Sequence, residues 1–429
     1  MSATFLHAAD AHLGYEQYNC PERYDDFARA FAHLVEEAIR QRVDALLLAG
    51  DLFHKRTIEP RTLLQASYYL QQLREAGIPV IAVEGNHDRP RFQGELSWLD
   101  YLAEIGLLTL LGPSIEGNRL ILNPWDPDTC QGAYIDLPCG LRVVGCPYYG
   151  ASTPRVLREM AEPLLTLRGQ GGAPFTVLLI HAGLQGIFDD YAGTLTRQDL
   201  EPLRPAIDYV AMGHIHKPFV QDEWIYNPGS LETNSVDEAS WEDRGYFLVE
   251  VDASRQPAHR ATPIRGKRRL FLRLSFAVDA FRSPEALEEA FLSFLESQTS
   301  EAIRRQRPVV ELALRGVLAF DAAYLELGRL EEHIRERFQA VYCHLRNLTA
   351  PTAFEISPTE EMSRAELEQY VLQELVSRDA QRQPQSERWA SLLLDLKRLG
   401  LEERPPEEII AHLEGALREI QPPEEGAEC

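Results

Sequence analysis

The amino-acid sequence predicts an α/β sandwich followed by a small α+β domain and a helical C-terminal region. The first two-thirds of the 429 residues alternates short apolar runs with amphipathic stretches, a rhythm typical of strands joined by helices. A second alternation of strand and helix patterns begins after a segment rich in proline and arginine at 254–269. Clusters of Asp, Asn and His follow several strands of the first region, at the edge where open α/β sheets hold their ligands.

Eight strands are predicted in the first region, each a short apolar run bounded by polar or turn-forming residues. They cover 4–8, 45–49, 80–83, 142–146, 176–180, 209–212, 225–226 and 246–251. Apolar residues at helical spacing predict a helix after each of the first two strands. The apolar stripe of the first helix is Phe27, Phe31, Leu34 and Ala38, and that of the second is Leu63, Leu64, Ser67 and Leu70.

The chain is expected to form three regions. Because Pro257, Pro263 and a basic run at 265–269 interrupt the pattern, we expect a linker near 254–269 and a first domain of residues 1–264. The second domain, 265–355, is predicted to contain strands at 270–276, 309–314 and 341–345 and helices at 284–296 and 322–338. The C-terminal region, 356–429, is predicted to contain helices at 364–376, 389–399 and 407–420.

Composition limits the class of protein. The formal charge of −23 argues against a protein that coats nucleic acid through its overall surface field, so any contact with nucleic acid must be local. The six cysteines form no Cys-x-x-Cys pair, which predicts reduced thiols rather than a disulfide framework or a zinc module. No secretory signal is evident, and no apolar run reaches the roughly 18 residues that a membrane helix needs. We therefore expect a soluble, cytoplasmic protein.

Five motifs at predicted strand ends offer metal ligands. They are Asp10-Ala-His12, Gly50-Asp51, Gly85-Asn86-His87-Asp88, His181 and Gly213-His214-Ile-His216. The set contains carboxylates, imidazoles and an amide but no thiolate, a mixture that suits manganese, iron or zinc better than a structural Cys-rich zinc site. Each motif alone arises by chance in a chain of this length, and an isolated histidine after a strand is more commonly structural. Their ordered co-occurrence at strand ends is what predicts a metal centre.

The arrangement favours a two-metal site that hydrolyses phosphate esters. Such a site needs a carboxylate that bridges both ions, and Asp51 fits because it lies between the other motifs. Two ions roughly 3.5–4 Å apart polarise a phosphoryl group and lower the pKa of a bridging water. His87, next to Asn86, can face the leaving group, and Asp88 is expected to orient its ring.

These motifs, in this order, resemble the calcineurin-like metallophosphoesterase superfamily. The sequences Ala9-Asp10-Ala-His12-Leu13-Gly14 and Gly50-Asp51-Leu52-Phe53-His54 are similar to motifs of its DNA double-strand-break-repair nuclease branch, which contains the SbcD exonuclease subunit. Asn227-Pro228-Gly229-Ser230-Leu231-Glu232 resembles the Pro-Gly-Ser turn of that branch, and residues 244–250 resemble the strand that follows it. The resemblance covers about residues 1–252 and implies a four-layer α/β/β/α sandwich.

The resemblance implies a role for each candidate residue. One manganese ion would be held by Asp10, His12, Asp51 and His216, and a second by Asp51, Asn86, His181 and His214. His87 would stabilise the transition state or protonate the leaving oxygen, supported by Asp88. His54 corresponds to a histidine associated with the processing of double-stranded substrates, although an ordinary histidine at a helix start explains it equally well.

The resemblance also implies partners. It implies 3′-to-5′ exonuclease activity on double-stranded DNA, endonuclease activity on single strands and a capping domain that holds DNA. It further implies that the C-terminal helices dock an SbcC-like coiled-coil ATPase, and it suggests a homodimer through helices such as 22–40 or 60–75. The C-terminal helices are short and acidic, so their apolar residues could equally pack on the protein's own core.

Two further questions stay open from the residues. The basic run 265–269, with Arg273, Arg304, Arg305 and Arg307, is either a phosphate contact or a solvated linker. The acidic charge favours a metallophosphoesterase of small phosphodiesters, nucleotides or phosphoprotein, whereas the Leu-Gly and Pro-Gly-Ser motifs oppose it. A non-catalytic scaffold typically lacks some ligands, whereas all seven are present here.

Overall fold

Two six-stranded β-sheets form the centre of the first region in the computed structural model of this chain. The structure describes residues 2–351 except 91, 93, 118 and 188–193, and residues 364–420 except 378–381, 383, 384 and 403. Strands and helices are numbered in chain order below.

The first sheet is mixed. In spatial order it contains β14 (His259–Arg265), β13 (Gly245–Asp252), β1 (Ser2–Ala8), β2 (Ala45–Leu48), β3 (Val80–Ala82) and β4 (Thr109–Leu110). The strands β1 to β4 run parallel, whereas β13 pairs antiparallel with β1 and with β14. The carboxyl ends of four strands therefore meet at one edge of this sheet.

The second sheet has the same character. In spatial order it contains β11 (Phe219–Gln221), β12 (Ile225–Asn227), β10 (Tyr209–Gly213), β9 (Phe175–His181), β8 (Leu141–Cys146) and β7 (Tyr134–Asp136). The strands β8, β9, β10 and β12 are parallel, and the edge strands β7 and β11 are antiparallel to their neighbours. A separate hairpin of β5 (Ser114–Glu116) and β6 (Arg119–Ile121) precedes this sheet. All eight strands predicted for the first region are confirmed, with ends shifted by one or two residues.

The two sheets pack face to face, and helices cover both outer faces. Alternate residues of β2 show why its whole sequence is apolar: Leu47 faces the inter-sheet core, whereas Leu46 and Leu48 face the helices. The first sheet is covered by α1 (Pro21–Gln41), α2 (Pro60–Glu75) and α3 (Trp98–Glu104), and the second by α4 (Thr153–Gly169) and α5 (Arg197–Leu200). The four-layer α/β/β/α sandwich is therefore confirmed.

Local sequence signals begin and end these helices. Pro21 occupies the first turn of α1, where its missing N–H costs nothing, and Arg42 ends the helix in a left-handed conformation with φ of 52°. Ser97 and Asp100 form a reciprocal capping box at the start of α3, and Thr196 and Asp199 do the same for α5. Each box satisfies backbone N–H groups that the first helical turn leaves without partners.

A smaller α+β element follows the sandwich and is called the cap below. Its sheet contains β15 (Phe271–Ala277), β16 (Val309–Leu318) and β17 (Tyr342–Pro351), and its helices are α6 (Pro284–Gln298), α7 (Glu301–Arg305) and α8 (Leu327–Phe338). Leu287, Phe291 and Leu295 of α6 are buried, as are Ile334 and Phe338 of α8. The predicted order of strands and helices is confirmed, but the long helix predicted at 322–338 is a short 3-10 turn followed by α8.

The cap is tied to the sandwich by charges and by one aromatic pair. The Arg269 guanidinium donates to the Asp26 carboxylate of α1, with Nη2 2.7 Å from Oδ1, and Asp26 is buried. Tyr342 of β17 stacks on Tyr18, with ring centroids 4.1 Å apart. Residues 1–316 and 323–349 accordingly form one compact unit.

The C-terminal helices α9 (Arg364–Ser377), α10 (Ser386–Leu401) and α11 (Pro406–Ile420) belong to a second unit. Within it, α10 packs against both α9 and α11. Among the described residues, no helix is both long enough and apolar enough to cross a lipid bilayer.

Two expectations about this framework are wrong. Residues 259–265 are not part of a linker, because they form β14 and pair with β13 along its length. The pattern hid this strand because β14 is an edge strand whose residues are partly or fully exposed and therefore include polar side chains. In α2 the buried face is Thr62, Ala66, Leu70 and Leu73, and Leu64 is 71% exposed. Of the predicted apolar stripe, Leu70 is buried and Leu63 packs against the core, so the stripe was wrong mainly at Leu64.

His7 of β1 joins the two sheets inside the core and makes stability sensitive to pH. Its Nε2 donates to the Met212 carbonyl and its Nδ1 accepts from the Tyr209 hydroxyl, both over 3.0 Å. Burial lowers the pKa of His7 to about 3. Between pH 6.5 and 3 the unfolded chain therefore binds a proton at this residue that the folded chain refuses, so stability falls as the pH falls.

We expect His7→Gln to remove this pH dependence. Between pH 7.5 and 5.5, wild type should lose about 1.4 kcal/mol of unfolding free energy relative to the variant. Chemical denaturation at both pH values measures this difference. Tyr209→Phe is the control, since it removes the hydroxyl but keeps the imidazole and should retain the wild-type dependence. An equal loss in wild type and His7→Gln would contradict the assignment.

Candidate metal centre

The predicted ligands meet at the carboxyl ends of β1, β2, β3, β9 and β10. The side chains that lie deepest belong to Asp10, His12, Asp51 and His181, each at most 2% exposed. Asn86, His214 and His216 line the partly accessible side of the same cluster. Residues separated by more than 200 positions in sequence are thus brought within contact distance by the parallel strands.

The backbone at this edge is held in an unfavourable conformation. Asp10, His12, Asp51 and His214 all have positive φ values, of 54°, 48°, 53° and 93°. Residues other than glycine rarely adopt this region, at a cost of order 1–3 kcal/mol each. The chain compensates with backbone hydrogen bonds between neighbouring loops, including Asp10 N to Gly50 O and His12 N to Asp51 O.

One half of the cluster contains Asp10, His12 and His216. Nitrogen or oxygen atoms of these three side chains all lie within 4.8 Å of one another. The His12 and His216 Nε2 atoms are 3.1 Å apart, and the Asp10 carboxylate accepts the His214 backbone N–H. Burial raises the pKa of Asp10 to about 6.

The other half contains Asn86, His181 and His214. The Asn86 Oδ1 lies 3.1 Å from His181 Nε2 and 3.0 Å from His214 Nδ1. Since His181 Nδ1 faces the Ala49 carbonyl at 2.7 Å, it donates to that oxygen and leaves Nε2 to face the cluster. Burial, and the positive charge of nearby His181, lower the pKa of His214 to about 3.

Asp51 lies between the two halves. Its Oδ2 is 3.5 Å from His181 Nε2 on one side and 4.0 Å from His12 Nε2 on the other. Burial alone would raise the pKa of Asp51, but the charge of His181 and its hydrogen bond hold that pKa well below its usual range. Conversely, burial would lower the pKa of His181, and Asp51 outweighs it and raises that pKa to about 9. The centre of the cluster therefore favours positive charge.

The donor set fits divalent cations. Carboxylate oxygens, an amide oxygen and imidazole nitrogens face one another in this cluster. Since acceptor atoms cannot hydrogen-bond to each other, a cation between them would stabilise the arrangement. Carboxylate, amide and imidazole ligands without thiolate suit manganese, iron or zinc. Asp51 lies between two groups of candidate ligands at these distances.

His87 lies beside the cluster, but Asp88 does not orient it as expected. The His87 Nδ1 lies 2.6 Å from the His54 carbonyl oxygen and donates to it. The Asp88 carboxylate instead accepts the backbone N–H groups of Leu52, Phe53 and Gly85. Burial and the charge of Asp51 raise the pKa of Asp88 to about 7. Asp88 thus stabilises the backbone of the loops that carry the candidate ligands, and the His54 main-chain carbonyl orients His87.

His54 belongs to the same group of rings. His12, His54 and His87 have nitrogen atoms within 4.8 Å of one another. Tyr15 stacks on His54, with centroids 3.6 Å apart and ring planes 16° apart. Burial, and to a lesser extent the neighbouring His87 ring, lower the pKa of His54 to about 4. His54 is therefore held as a neutral ring at the rim of the cluster.

Three side chains at the cluster belong to none of the five motifs and were not predicted from the sequence. Tyr15 packs on His54, and Tyr148 lies 5.3 Å from the His214 ring. Glu238 accepts from His216 Nδ1 over 2.7 Å. Tyr148 could have been predicted, because it comes shortly after the strand that ends at Cys146. Glu238 could not, because only the tertiary structure brings it to His216.

The turn at 227–230 braces the loop that carries His216. The Asn227 amide Nδ2 donates to the Ile215 and Lys217 carbonyls, at 2.6 and 2.9 Å. Ser230 N donates to the His216 carbonyl, and a Cβ added at Gly229 would lie 2.3 Å from that oxygen. The Asn-Pro-Gly-Ser sequence therefore supports the metal centre through the backbone.

The arginines of the predicted phosphate-binding run have partners within this chain, although several of them are exposed. Arg265 pairs with Asp243, Arg268 donates to the Trp241 and Glu242 carbonyls, and Arg269 pairs with Asp26. Further along, the partners are Asp237 and Glu311 for Arg273, Glu296 for Arg304, Glu301 for Arg305 and Glu22 for Arg307. Of these pairs, the one between Arg269 and Asp26 is buried and helps to attach the cap, whereas those of Arg265, Arg305 and Arg307 lie at the surface.

The model of the calcineurin-like phosphoesterase family matches residues 3–218, which is half of the chain and includes all seven candidate ligands. The chain belongs to this family.

Curated relatives of this phosphoesterase include archaeal DNA double-strand break repair proteins Mre11. The chain is 36% identical to that of Archaeoglobus fulgidus over 243 residues, covering 55% of this chain and 52% of the relative. The Haloferax volcanii protein is 33% identical over 262 residues, covering 60% and 51%, and the Aeropyrum pernix protein 32% over 246 residues, covering 54% of each. The chain spans about half the length of these relatives. The resemblance to the DNA-repair branch is confirmed.

Gly85 offers a direct test of the cluster. A Cβ at this position would lie 2.0 Å from Asp51 Oδ1, so Gly85→Ala must displace that carboxylate. We expect the variant to bind manganese at least tenfold more weakly in calorimetric titration. Gly169→Ala is the matched control, since nothing lies within 4 Å of its added Cβ, and it should bind as wild type does. Wild-type affinity in folded Gly85→Ala would show that Asp51 is not a ligand.

Proposed function

We propose that this phosphoesterase is a manganese-dependent DNA nuclease that hydrolyses phosphodiester bonds with two metal ions. The observation that carries the proposal is the position of Asp51 between two groups of oxygen and nitrogen donors. The similarity to DNA double-strand break repair proteins supports DNA as the substrate. The proposed activities are 3′-to-5′ exonuclease on double-stranded ends and endonuclease on single strands.

The two metal positions would use the two halves of the cluster. One would be held by Asp10, His12, Asp51 and His216, and the other by Asp51, Asn86, His181 and His214. Two divalent cations held there would supply Lewis-acid polarisation of the phosphoryl group and make hydroxide available near neutral pH. The chain's own contribution is to fix the ligands on strained loops, so that little reorganisation is needed when substrate binds.

His87 is the proposed catalytic residue at the leaving group. Its Nδ1–H donates to the His54 carbonyl, so its ring is oriented, and when the ring is also protonated at Nε2 that N–H can donate a hydrogen bond or its proton to the leaving oxygen. Tyr15 and His54 support the rim beside it through ring stacking. Changing His54 would then affect how substrate approaches more than it affects metal binding.

The cap is the proposed support for DNA. It contacts the loop 15–19 through the Tyr18–Tyr342 stack, and the same loop contacts His54 through Tyr15. A strand held by the cap would therefore pass close to the metal centre. The chain's overall charge of −23 does not prevent this, because bound divalent cations supply a large local positive charge.

The C-terminal helices are the proposed docking site of an SbcC-like coiled-coil ATPase. They expose several large apolar side chains, namely Tyr370, Leu375, Leu393, Leu401 and Ile410. A partner helix that buried these residues would gain roughly 25 cal/mol for each Å² of apolar surface removed from water.

A second copy of this chain is the proposed partner of the sandwich surface at α2 and α3. Leu64 and Tyr68 of α2 are 71% and 64% exposed, and Tyr101 and Ile105 at α3 are 42% and 40% exposed. A groove of about 450 Å³ is lined by Leu64, Tyr68 and Ile105 among others. Of the two helices suggested from the sequence, the one at 60–75 therefore offers the better dimer surface.

Cleavage of end-labelled DNA tests the proposed activity. We expect wild type with manganese to shorten duplex DNA from its 3′ ends and to cut single strands, and a chelator to abolish both reactions. His87→Gln should lose at least a hundredfold in rate while still binding two metal ions, because the residue acts on the leaving group. His333→Gln, in the cap helix α8, is the matched control and should cut as wild type does.

The outcomes separate the alternatives. Wild type that binds two manganese ions, cuts a chromogenic diester and leaves DNA intact, with or without an ATPase partner, would favour a small-phosphoester substrate. Wild type that binds metal and cuts neither would favour a scaffold. Full activity in His87→Gln would remove His87 from the mechanism.

Light scattering tests the dimer. We expect wild type to have the mass of a dimer at micromolar concentrations and the double variant Leu64→Glu, Tyr68→Glu to be monomeric, since two buried carboxylates at an apolar interface are costly. Leu165→Glu on α4, at a residue 45% exposed, is the control and should remain dimeric. A monomeric wild type, or a dimeric double variant, would contradict this interface.

A further inference from the structure

Glu238 is a buried residue next to the candidate metal centre, and both of its carboxylate oxygens accept hydrogen bonds. It is 5% exposed and lies in the 3-10 helix Val236–Ser240. Its Oε1 accepts from His216 Nδ1 over 2.7 Å, and its Oε2 accepts from Arg244 Nη1 and Asn234 N over 2.6 and 2.9 Å. A buried carboxylate is costly unless it is paired in this way, so its position needs an explanation beyond local packing.

The contact with Glu238 determines which nitrogen of His216 faces the metal centre. A carboxylate only accepts hydrogen bonds, so His216 Nδ1 carries the hydrogen and the Nε2 lone pair points away from Glu238. That Nε2 lies 3.1 Å from His12 Nε2, in the group that also contains Asp10. Without Glu238 the ring could take the other tautomer or rotate, because 24% of the His216 side chain is exposed.

Arg244 fixes Glu238 in turn. Its side chain is completely buried and donates to Ser230 Oγ and Thr233 Oγ1, at 2.9 and 2.8 Å. It also donates to main-chain oxygens of the same segment, at Trp241, Glu232 and Glu238. The segment that follows the Pro-Gly-Ser turn is thus folded around one guanidinium, and this arrangement presents the Glu238 carboxylate to His216.

We propose that Glu238 is a positioning residue that sets the tautomer and orientation of His216 and thereby strengthens one of the two metal positions, the one at Asp10, His12 and His216. This rests on the proposed two-metal function. Carboxylates that hold the second nitrogen of a metal-binding histidine commonly contribute about 10- to 100-fold in metal affinity. Because the Glu238 carboxylate is held by His216, Arg244 and Asn234, we expect the position at Asn86, His181 and His214 to keep its affinity.

Glu238→Gln separates positioning from packing. The amide keeps the size of the side chain and one hydrogen bond to His216 but loses the charge that fixes the tautomer. Asp237→Asn is the matched control, since Asp237 is 72% exposed in its side chain and pairs with Arg273 of the cap. If Glu238→Gln fails to fold because the Arg244 charge loses its partner, Glu238→Asp keeps the charge and withdraws the carboxylate from His216.

The full chain is first treated with a chelator and then titrated with manganese alone. Binding is monitored by calorimetry and by the electron paramagnetic resonance signal of free manganese. We expect wild type and Asp237→Asn to bind two ions, and Glu238→Gln to bind one ion as wild type does and the other about 10- to 100-fold more weakly. Glu238→Asp should show a loss at the same position. Unfolding of each metal-free variant in denaturant is measured in parallel.

Three results would overturn the proposal. These are unchanged affinity at both positions, equal weakening of both positions accompanied by lower metal-free stability, and a wild type that binds fewer than two ions. Failure of the nuclease function is distinguishable, because a protein that binds two ions with this dependence on Glu238 but leaves DNA intact would refute only the substrate.

Discussion

The structure is organised around one electrostatic constraint, which is the burial of several acceptor groups around Asp51 at the meeting point of two sheets. A carboxylate at most 2% exposed lies within 4.0 Å of imidazole nitrogens on both sides. Such a group is tolerated only where positive charge accompanies it. The shifted pKa values of Asp51 and His181 have the same cause, since each group stabilises the charged form of the other.

The stability of the sandwich offsets the cost of burying these groups. Parallel strands bring five loops to one edge, and the fully buried strands behind them, such as Phe175–His181, provide a rigid core. Four of the loop residues adopt positive φ values, and contacts such as Asp88 with three backbone N–H groups and Asn227 with two carbonyls hold the loops in place. The motifs around the candidate ligands therefore act largely by fixing the backbone, and the fixed backbone positions the ligand side chains.

The sequence allowed prediction of features that depend on short stretches of chain. Buried strands are continuous apolar runs, and polar residues directly after them marked the candidate ligands from Asp10 to His216. Features that depend on tertiary contacts could not be predicted. The strand at 259–265 lies at a sheet edge and has no apolar run, the core face of α2 depends on how the helix meets the sheet, and Glu238 reaches His216 across 22 positions. Asp88 was assigned to His87 because they are adjacent, yet adjacent residues after a strand point in different directions.

The central claim, that Asp51 bridges two metal positions, is tested most directly by anomalous X-ray diffraction from crystals soaked in manganese. The account predicts two anomalous peaks roughly 3.5–4 Å apart, one beside Asp10, His12 and His216 and the other beside Asn86, His181 and His214, with Asp51 in contact with both. A single peak, or two peaks that do not share Asp51, would contradict it.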